Sequence, residues 1–285
     1  MSSRCKVELE LHKLYQVKEL LGKGGNGQVY AGVRRKDGKK VAIKRIKKRN
    51  SEKRRERSLP LEVLILQQLQ DVPGVISLFD YLQSDGSHYI IMERFHCKDM
   101  FDFISDHPAG VSERIARDIF KQVVETVQHC RKKGIVHGDI KDENIVVNIE
   151  TKEVKLIDFG SSNLWTDGVQ TNFSGTREYA PPEWFSARRL TAEGLTVWSL
   201  GILLYSLLCG DIPFQTDLHI RQEGLTFPGS LSQTAISLIQ RCLDKNPSSR
   251  ISLGDLSRHS WLLEKSLEDR ERASDRYFVT KAVFV

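Results

Sequence analysis

Two polar segments in the middle of the chain could hold a metal ion. Residues 137–144 read HGDIKDEN and place Asp139 and Asn144 five positions apart. Asp158-Phe159-Gly160 begins fourteen positions after Asn144 and follows a largely apolar run. Oxygen ligands of this kind suit Mg²⁺, and ionised carboxylates beside phosphate groups need such a metal. A polar turn and a strand end would explain each segment separately, but not their order and spacing together.

A glycine cluster nearer the N-terminus could cover phosphate groups. Gly22, Gly24 and Gly27 form the pattern G-x-G-x-x-G. Dinucleotide-binding folds use the same pattern, but there a helix follows the glycines directly. Here residues 28–31 (QVYA) follow, which favours a strand. A glycine hairpin whose backbone N–H groups cover phosphates is therefore the better interpretation, with ordinary turn glycines as the alternative.

A lysine and a glutamate extend this candidate phosphate site. Lys44 ends the run VAIK at residues 41–44, where it could contact phosphate oxygens. Glu62 lies among apolar residues of a helical pattern, where an unpaired carboxylate would be unfavourable. We therefore expect an ion pair between Lys44 and Glu62, although a surface lysine on an edge strand also fits the local sequence.

The elements that must position these residues divide into a β-rich first third and a helix-rich remainder. Asp37-Gly38 is a strong hairpin signal between two of the strands. Alternation and β-rich composition predict strands over residues 15–21, 28–33, 39–46, 75–81 and 88–92. Apolar residues at helical spacing predict helices over residues 59–69, 115–130, 196–209 and 231–243. The predicted fold class is α+β, with a small lobe, a large lobe and a cleft between them.

Composition and charge exclude several other classes of protein. The 285 residues are 40% hydrophobic and 28% charged, which excludes collagen-like arrays and full-length disorder. The net charge of +6 is too small to predict nucleic-acid binding. The five cysteines form no CxxC pair and the N-terminus lacks an apolar signal segment, so we expect a reducing compartment. The apolar stretch 195–209 is interrupted by polar residues and is predicted to be a buried helix.

With these motifs in order, the chain resembles a protein kinase from about Tyr15 to Leu262, and more narrowly the Pim family of Ser/Thr kinases. The stretches that carry the narrower resemblance are residues 101–104 (FDFI), 139–145 (DIKDENI), 155–161 (KLIDFGS), 181–184 (PPEW), 197–205 (VWSLGILLY) and 209–214 (CGDIPF). The resemblance implies a bilobal kinase fold that uses ATP and Mg²⁺. Its implied parts are an N-terminal extension 1–14, an N-lobe 15–92, a hinge 93–98, a C-lobe 99–262 and a tail 263–285.

The same resemblance implies a catalytic role for four residues and a substrate-binding role for a fifth. Asp139 orients the substrate hydroxyl and accepts its proton, and Lys141 contacts the γ-phosphate. Lys44 binds the α- and β-phosphates and pairs with Glu62. Thr176 belongs to the loop beneath the phospho-acceptor residue.

Metal and nucleotide ligands follow from the resemblance as well. Asn144 and Asp158 are the implied Mg²⁺ ligands. The implied nucleotide-binding residues come from the glycine pattern, the VAIK strand, the hinge and two adenine-contact positions. They are Leu21, Gly22, Lys23, Gly24, Gly25, Asn26, Gly27, Val29, Ala42, Lys44, Met92, Glu93, Phe95, Val146 and Ile157.

Acidic residues at positions that resemble the kinase substrate groove favour a basic peptide substrate, as in the Pim family. Each one alone could be an ordinary solvated side chain. The residues are Asp102, Glu143, Asp211 and Asp217. We expect a monomer without membrane or nucleic-acid partners, located in the cytoplasm. The strongly basic residues 45–57 read as a solvated loop, with nuclear import as the alternative.

The sequence departs from the Pim pattern in the hinge and in the catalytic loop. Phe95-His96-Cys97 has no proline in the hinge, so Phe95 keeps a backbone N–H that could donate to adenine. Gly138 replaces the arginine that receives an activation-loop phosphate in many kinases, and glycine adds backbone freedom to the catalytic loop. The favoured hypothesis is a kinase that is active without loop phosphorylation. The alternative is a pseudokinase or weakly active kinase that acts as an ATP-binding scaffold.

Overall fold

The computed structural model describes residues 10–48, 59–84 and 86–264. Most of the predicted N-terminal extension, much of the basic segment and most of the C-terminal tail lie outside these residues. Within the described part, a β-rich N-terminal region is followed by a helical C-terminal region. The predicted α+β class is therefore confirmed.

In the described part of the chain, the N-lobe contains an antiparallel five-stranded sheet and the helix that follows Pro60. The sheet order is β1-β2-β3-β5-β4. The strands are β1 (Tyr15–Gly24), β2 (Gly27–Arg34), β3 (Lys40–Lys47), β4 (Leu78–Gln83) and β5 (Ser87–Glu93). Helix α1 (Leu61–Gln68) begins directly after Pro60, a residue whose fixed φ suits the start of a helix. In this register Lys44 lies between Val29 of β2 and Ile90 of β5, at the centre of the sheet.

The predicted strand over residues 75–81 begins too early. The observed strand β4 starts at Leu78, because the N–H of Ile76 donates to the Leu156 carbonyl of the C-lobe at 3.0 Å and not to the sheet. Val75 instead forms an isolated parallel bridge with Leu156 of the C-lobe. The apolar run at 75–76 therefore connects the two lobes, and only its continuation joins the sheet.

The C-lobe consists of helices with short strand pairs between them. The helices are α2 (Met100–Ser105), α3 (Glu113–Lys132), α4 (Pro182–Ala187), α5 (Ala192–Cys209), α6 (Asp217–Gln222), α7 (Gln233–Cys242), α8 (Leu253–Leu256) and α9 (Ser260–Leu263). The strands are β6 (Lys98–Asp99), β7 (Ile135–Val136), β8 (Ile145–Val147), β9 (Val154–Leu156), β10 (Asn163–Leu164), β11 (Val169–Gln170) and β12 (Leu190–Thr191). The small β6-β8-β9 sheet places the turn Asp142–Asn144 at the mouth of the cleft.

Helix α5 is the centre of the C-lobe. Its length and apolar composition would allow it to cross a membrane, but 83% of that stretch is buried inside the protein. Gly201 lets the helix approach α7 closely, since a Cβ there would lie 2.7 Å from the Cβ of Cys242. The prediction of a buried helix is confirmed. Its core is continuous with residues of α1 and of the β8-β9 hairpin, so one hydrophobic cluster spans both lobes.

Candidate active site

A cavity of about 810 Å³ opens between the two lobes. All fifteen residues of the predicted nucleotide-binding set line it, together with Asp139, Lys141, Asn144 and Asp158. Glu143 and Thr176 lie at its edge as lining residues. Sheet β1–β3 forms its roof, the segment after β5 forms its back, and the catalytic-loop segment with the β8-β9 hairpin forms its floor. Sequence positions more than one hundred residues apart are thus brought to one site.

The back of the cavity is apolar. Ala42 pairs with Met92 across β3 and β5, and the Met92 side chain is buried. Val146 and Ile157 approach from the C-lobe side. Within the described residues the backbone N–H of Phe95 has no hydrogen-bond partner. This end of the cavity can therefore hold a flat heterocycle and offer it one backbone donor.

Lys44 is the cation at the centre of the cavity. Its Nζ lies 2.6 Å from Glu62 Oε1 and 2.7 Å from Asp158 Oδ1. Burial alone would lower the pKa of Lys44, but the two carboxylates outweigh it and raise the pKa above its usual value. The expected Lys44–Glu62 ion pair is present, and α1 is the element that brings Glu62 to it.

Asp158 has a left-handed backbone, with φ 57 and ψ 78. Its carboxylate accepts hydrogen bonds from the backbone N–H of Gly160 at 3.0 Å and from the side-chain amide of Asn26. Burial would raise the pKa of Asp158, but Lys44 and these donors lower it below its usual value. The residue therefore stays ionised and able to bind a cation.

Asp139 is held from two sides in the catalytic-loop segment. The backbone N–H of Thr176 donates to its Oδ1 at 2.7 Å, and Asn144 Nδ2 donates to its Oδ2 at 3.0 Å. Within the described residues, no hydrogen bond reaches Asn144 Oδ1, which leaves that oxygen available to a metal. Burial lowers the pKa of His137, which is neutral and receives the N–H of Asp139 on Nδ1. These contacts fix the carboxylate of Asp139 in one orientation.

Gly138 occupies a backbone conformation that favours glycine. Its φ is +81, and a Cβ at this position would lie 2.4 Å from the backbone oxygen of Ser161. Any larger residue would strain the loop or displace Ser161. Glycine here therefore fits the loop without strain, which removes the structural reason to expect a loosened catalytic loop.

The activation segment between Asp158 and Glu183 makes many contacts of its own. Strand β10 pairs with β7, and β11 pairs with β12 just before α5. Ser161 Oγ donates to the Ser174 carbonyl at 3.1 Å, and the N–H of Trp165 donates to the Gly134 carbonyl at 2.7 Å. These contacts join the segment to β7, to β12 and to the loop at Gly134.

The four acidic residues predicted to bind substrate differ in their surroundings, and the fifth predicted residue, Thr176, lines the cavity. Asp102 and Asp211 are exposed and form no ion pair in the described part of the chain. Glu143 instead pairs with Lys141, and Asp217 pairs through both oxygens with Arg177. Of the four, only Glu143 lines the cavity. Asp102 and Asp211 are therefore the residues most available to a basic peptide.

One group of contacts at the hinge was not predicted. Glu93 Oε1 accepts from the N–H of Ser77 at 2.7 Å, from its hydroxyl at 2.8 Å and from Lys155 Nζ at 2.8 Å. The Glu93 side chain thus joins the hinge to Ser77 and to Lys155, and the residue also lines the cavity. Its partners are 16 and 62 positions away, so no local sequence pattern could reveal them.

Comparison with known sequences identifies the family. The protein kinase domain matches residues 15–262. The chain belongs to the protein kinase family. This kinase is similar to the serine/threonine-protein kinase pim-2 of Danio rerio, with 43% identity over 271 residues that cover 90% of this chain and 87% of that protein. The predicted resemblance to Pim kinases and the bilobal fold are confirmed, and the chain is a serine/threonine protein kinase of the Pim type.

More distant relatives share the kinase domain inside longer proteins. Identity to prk-2 of Caenorhabditis elegans is 38%, covering 90% of this chain and 59% of that protein. Identity to the SNF-related serine/threonine-protein kinase of Homo sapiens is 33%, covering 87% of this chain but 33% of that protein. The similarity to these two proteins therefore concerns the kinase domain and not their whole length.

Proposed function

We propose that this kinase transfers the γ-phosphate of ATP to Ser or Thr in basic protein substrates, and that it does so without activation-loop phosphorylation. The observation that carries the proposal is the single cavity that gathers Lys44, Asp139, Asn144 and Asp158 beneath the glycine-rich hairpin. A pseudokinase would not need all four of these side chains in working contact.

The donor set of the site fits Mg²⁺. Asn144 Oδ1 and the ionised carboxylate of Asp158 are hard oxygen ligands, and Mg²⁺ commonly combines one or two protein oxygens with substrate phosphates. Among the described residues, no group of three or more His, Cys, Asp and Glu side chains could hold a metal. When bound, Mg²⁺ would neutralise charge on the phosphates. Lys44 would supply a further positive charge. Its ammonium has three N–H groups, of which two are directed at carboxylates, so the third is available to a phosphate oxygen.

Asp139 is the proposed base for the acceptor hydroxyl. In the transfer, the hydroxyl oxygen bonds to the γ-phosphorus, the bond from that phosphorus to the β-phosphate oxygen breaks, and ADP leaves. The hydroxyl proton passes to Asp139, whose orientation is fixed by Thr176 and Asn144. Lys141, close to Asp139 in the cavity, adds positive charge near the transferred group. Most of the rate enhancement in this scheme comes from position and charge.

Turnover itself is the first experiment. We expect wild-type protein with ATP and Mg²⁺ to phosphorylate an Arg-rich Ser peptide, and we expect Asp158→Asn and EDTA each to abolish the reaction. A protein that binds ATP but shows no turnover above Asp158→Asn would support the scaffold hypothesis instead.

Basic substrates are proposed from the unpaired acidic side chains. Asp102 and Asp211 can form charge-assisted pairs with substrate Arg or Lys without first breaking an internal ion pair. A positional peptide library should show selection for Arg or Lys N-terminal to the acceptor, and Asp102→Asn with Asp211→Asn should reduce that selection. Asp118→Asn is the matched control, because Asp118 is an exposed carboxylate on α3 outside the cavity. A preference for acidic or proline-directed peptides would contradict the proposal.

Independence from loop phosphorylation is proposed from the contacts of the activation segment. Gly138 has no side chain to receive a phosphate, and the loop is already paired with β7 and β12. We expect phosphatase-treated and untreated enzyme to have similar kcat on one basic peptide. A large loss of kcat, mapped by mass spectrometry to a residue between Asp158 and Glu183, would show that the loop needs a phosphate after all.

A further inference from the structure

The tip of the glycine-rich hairpin contacts the proposed metal ligand directly. The hairpin between β1 and β2 turns at Gly25-Asn26, and Gly24 pairs with Gly27 across it. Asn26 Nδ2 lies 3.3 Å from Asp158 Oδ1 and 3.2 Å from Asp158 Oδ2, across 132 positions of sequence. The amide also rests on Gly160, where a Cβ would lie 2.8 Å from Nδ2. Asn26 thus reaches across the cavity and closes its phosphate end.

The two oxygens of Asp158 are not equally occupied. Oδ1 accepts from Lys44 at 2.7 Å, from the N–H of Gly160 at 3.0 Å and from Asn26. Oδ2 accepts only from Asn26 within the described residues. A carboxylate offers about four lone-pair sites in all, so Oδ2 is the oxygen with room for a cation. The group already at that oxygen is the Asn26 amide.

We propose that Asn26 is a positioning residue that competes with Mg²⁺ for Asp158 Oδ2 and thereby holds the glycine hairpin closed in the metal-free enzyme. The proposal rests on the proposed function, because it takes Asp158 as the Mg²⁺ ligand. Cation binding at Oδ2 displaces the amide, and the hairpin tip is then free to rearrange over the phosphates. Metal binding therefore shifts the hairpin from the closed position to the open one, and closure of the hairpin weakens metal binding.

The chemistry of the tip supports this assignment. The side-chain amide of Asn26 is neutral and donates N–H groups, so it can form a hydrogen bond with the carboxylate. A divalent cation attracts the carboxylate far more strongly and can therefore displace the amide. The backbone around it can also move. A Cβ at Gly24 or Gly25 would meet no atom within 4 Å, so the tip is not packed against the sheet. Gly27, by contrast, has φ +131 and lies against the backbone of Arg45, which fixes the base of the hairpin.

Asn26→Ala tests the competition, and Gln28→Ala is its matched control. Gln28 is an amide of the same hairpin that does not line the cavity. We measure ADP binding by calorimetry across a Mg²⁺ titration, and hydrogen exchange of the hairpin amides without nucleotide or metal. For Asn26→Ala we expect the Mg²⁺ concentration at half-maximal ADP binding to fall on the order of tenfold, because a hydrogen bond to a charged group is lost. Exchange of residues 22–27 should become faster.

Gln28→Ala should match the wild-type protein in both measurements. If Asn26→Ala behaves like Gln28→Ala, or if it raises the Mg²⁺ requirement, Asn26 does not compete with the metal and the inference is wrong. Failure of the wild-type protein to bind ADP at any Mg²⁺ concentration would instead contradict the proposed function. The two failures are therefore distinguishable.

Discussion

Two buried ion pairs, one in each half of the molecule, use similar residues for different purposes. In the cleft, Lys44 bonds to Glu62 and Asp158. In the C-lobe, Arg250 bonds to both oxygens of Glu183, at 2.8 and 2.9 Å. The Lys44 and Arg250 side chains are only 4% and 2% exposed, so both cations have lost their hydration and depend on protein partners.

The difference lies in what surrounds the cation. Every guanidinium nitrogen of Arg250 bonds to a protein oxygen, since Nε also bonds to the Asp244 carbonyl and Nη1 to the Gly194 carbonyl. Lys44 lines an open cavity, and its ammonium makes two bonds and can make a third to a ligand. A cation enclosed by protein serves stability, whereas a cation that faces an open cavity can serve binding. Changes in the cleft should therefore affect activity, and changes at Arg250 should affect folding.

The largest expected effect is on turnover. Asp139→Asn should lower kcat by about 10²–10⁴-fold, the usual contribution of a general base, while ADP affinity and the unfolding midpoint stay close to wild type. Steady-state kinetics with calorimetry and urea unfolding measure all three quantities. Unchanged turnover would remove Asp139 from the proposed mechanism.

The C-lobe pair should show the opposite pattern. Arg250→Met leaves Glu183 buried without its partner and should lower the free energy of unfolding by about 3–5 kcal/mol. The activity of the molecules that remain folded should be close to wild type. Arg241→Met on α7, where the arginine is exposed, is the control and should change stability little. If Arg250→Met lost activity without losing stability, the distinction between the two ion pairs would not hold.

A smaller effect is expected at the glycine of the catalytic loop. Gly138→Ala must either strain a φ of +81 or move the Ser161 carbonyl, at a cost of about 1–3 kcal/mol in the free energy of unfolding. Gly168→Ala, in the activation segment with no atom within 4 Å of its Cβ position, is the control. Urea unfolding of the two variants should separate them. Equal stabilities would mean that the loop relaxes without strain.

The smallest expected effect concerns a carboxylate that acts only in stability. Glu113 accepts hydrogen bonds from the N–H of Ser232 at 2.6 Å and from Trp261 Nε1 at 2.8 Å. Burial would raise the pKa of Glu113, but these donors lower it below its usual 4.5. A depressed pKa stabilises the folded state above pH 4.5, and that contribution disappears as the pH falls through the folded value.

Glu113→Gln removes this titration. The wild-type protein should lose more of its free energy of unfolding than the variant as the pH falls below 4.5, as measured by urea unfolding at each pH. Parallel pH profiles for the two proteins would show that Glu113 is not stabilised as an anion.

The sequence predicts the site residues that belong to local motifs. It does not predict contacts between residues that are far apart in the chain. The glycine pattern and Asp158-Phe159-Gly160 fix both residue type and spacing, so their positions in the cavity were expected. The Lys44–Glu62 pair was expected because a carboxylate among apolar residues needs a partner. The pairing of Asp217 with Arg177 and the reach of Asn26 to Asp158 depend on how distant segments meet. Neither leaves a signal in the local pattern.

The bonds of Glu93 have a mechanical consequence for the whole molecule. One carboxylate oxygen holds Ser77 ahead of β4 and Lys155 in β9, and Val75 bridges Leu156 close by, so several contacts between the lobes meet at the hinge. We therefore expect the cleft to open by rotation about the hinge. Points near the hinge, such as the apolar wall at Met92, should then move little, while the hairpin tip at Asn26 should move furthest. A flat heterocycle at the back of the cleft should meet an almost constant pocket, and the phosphate end should undergo most of the motion.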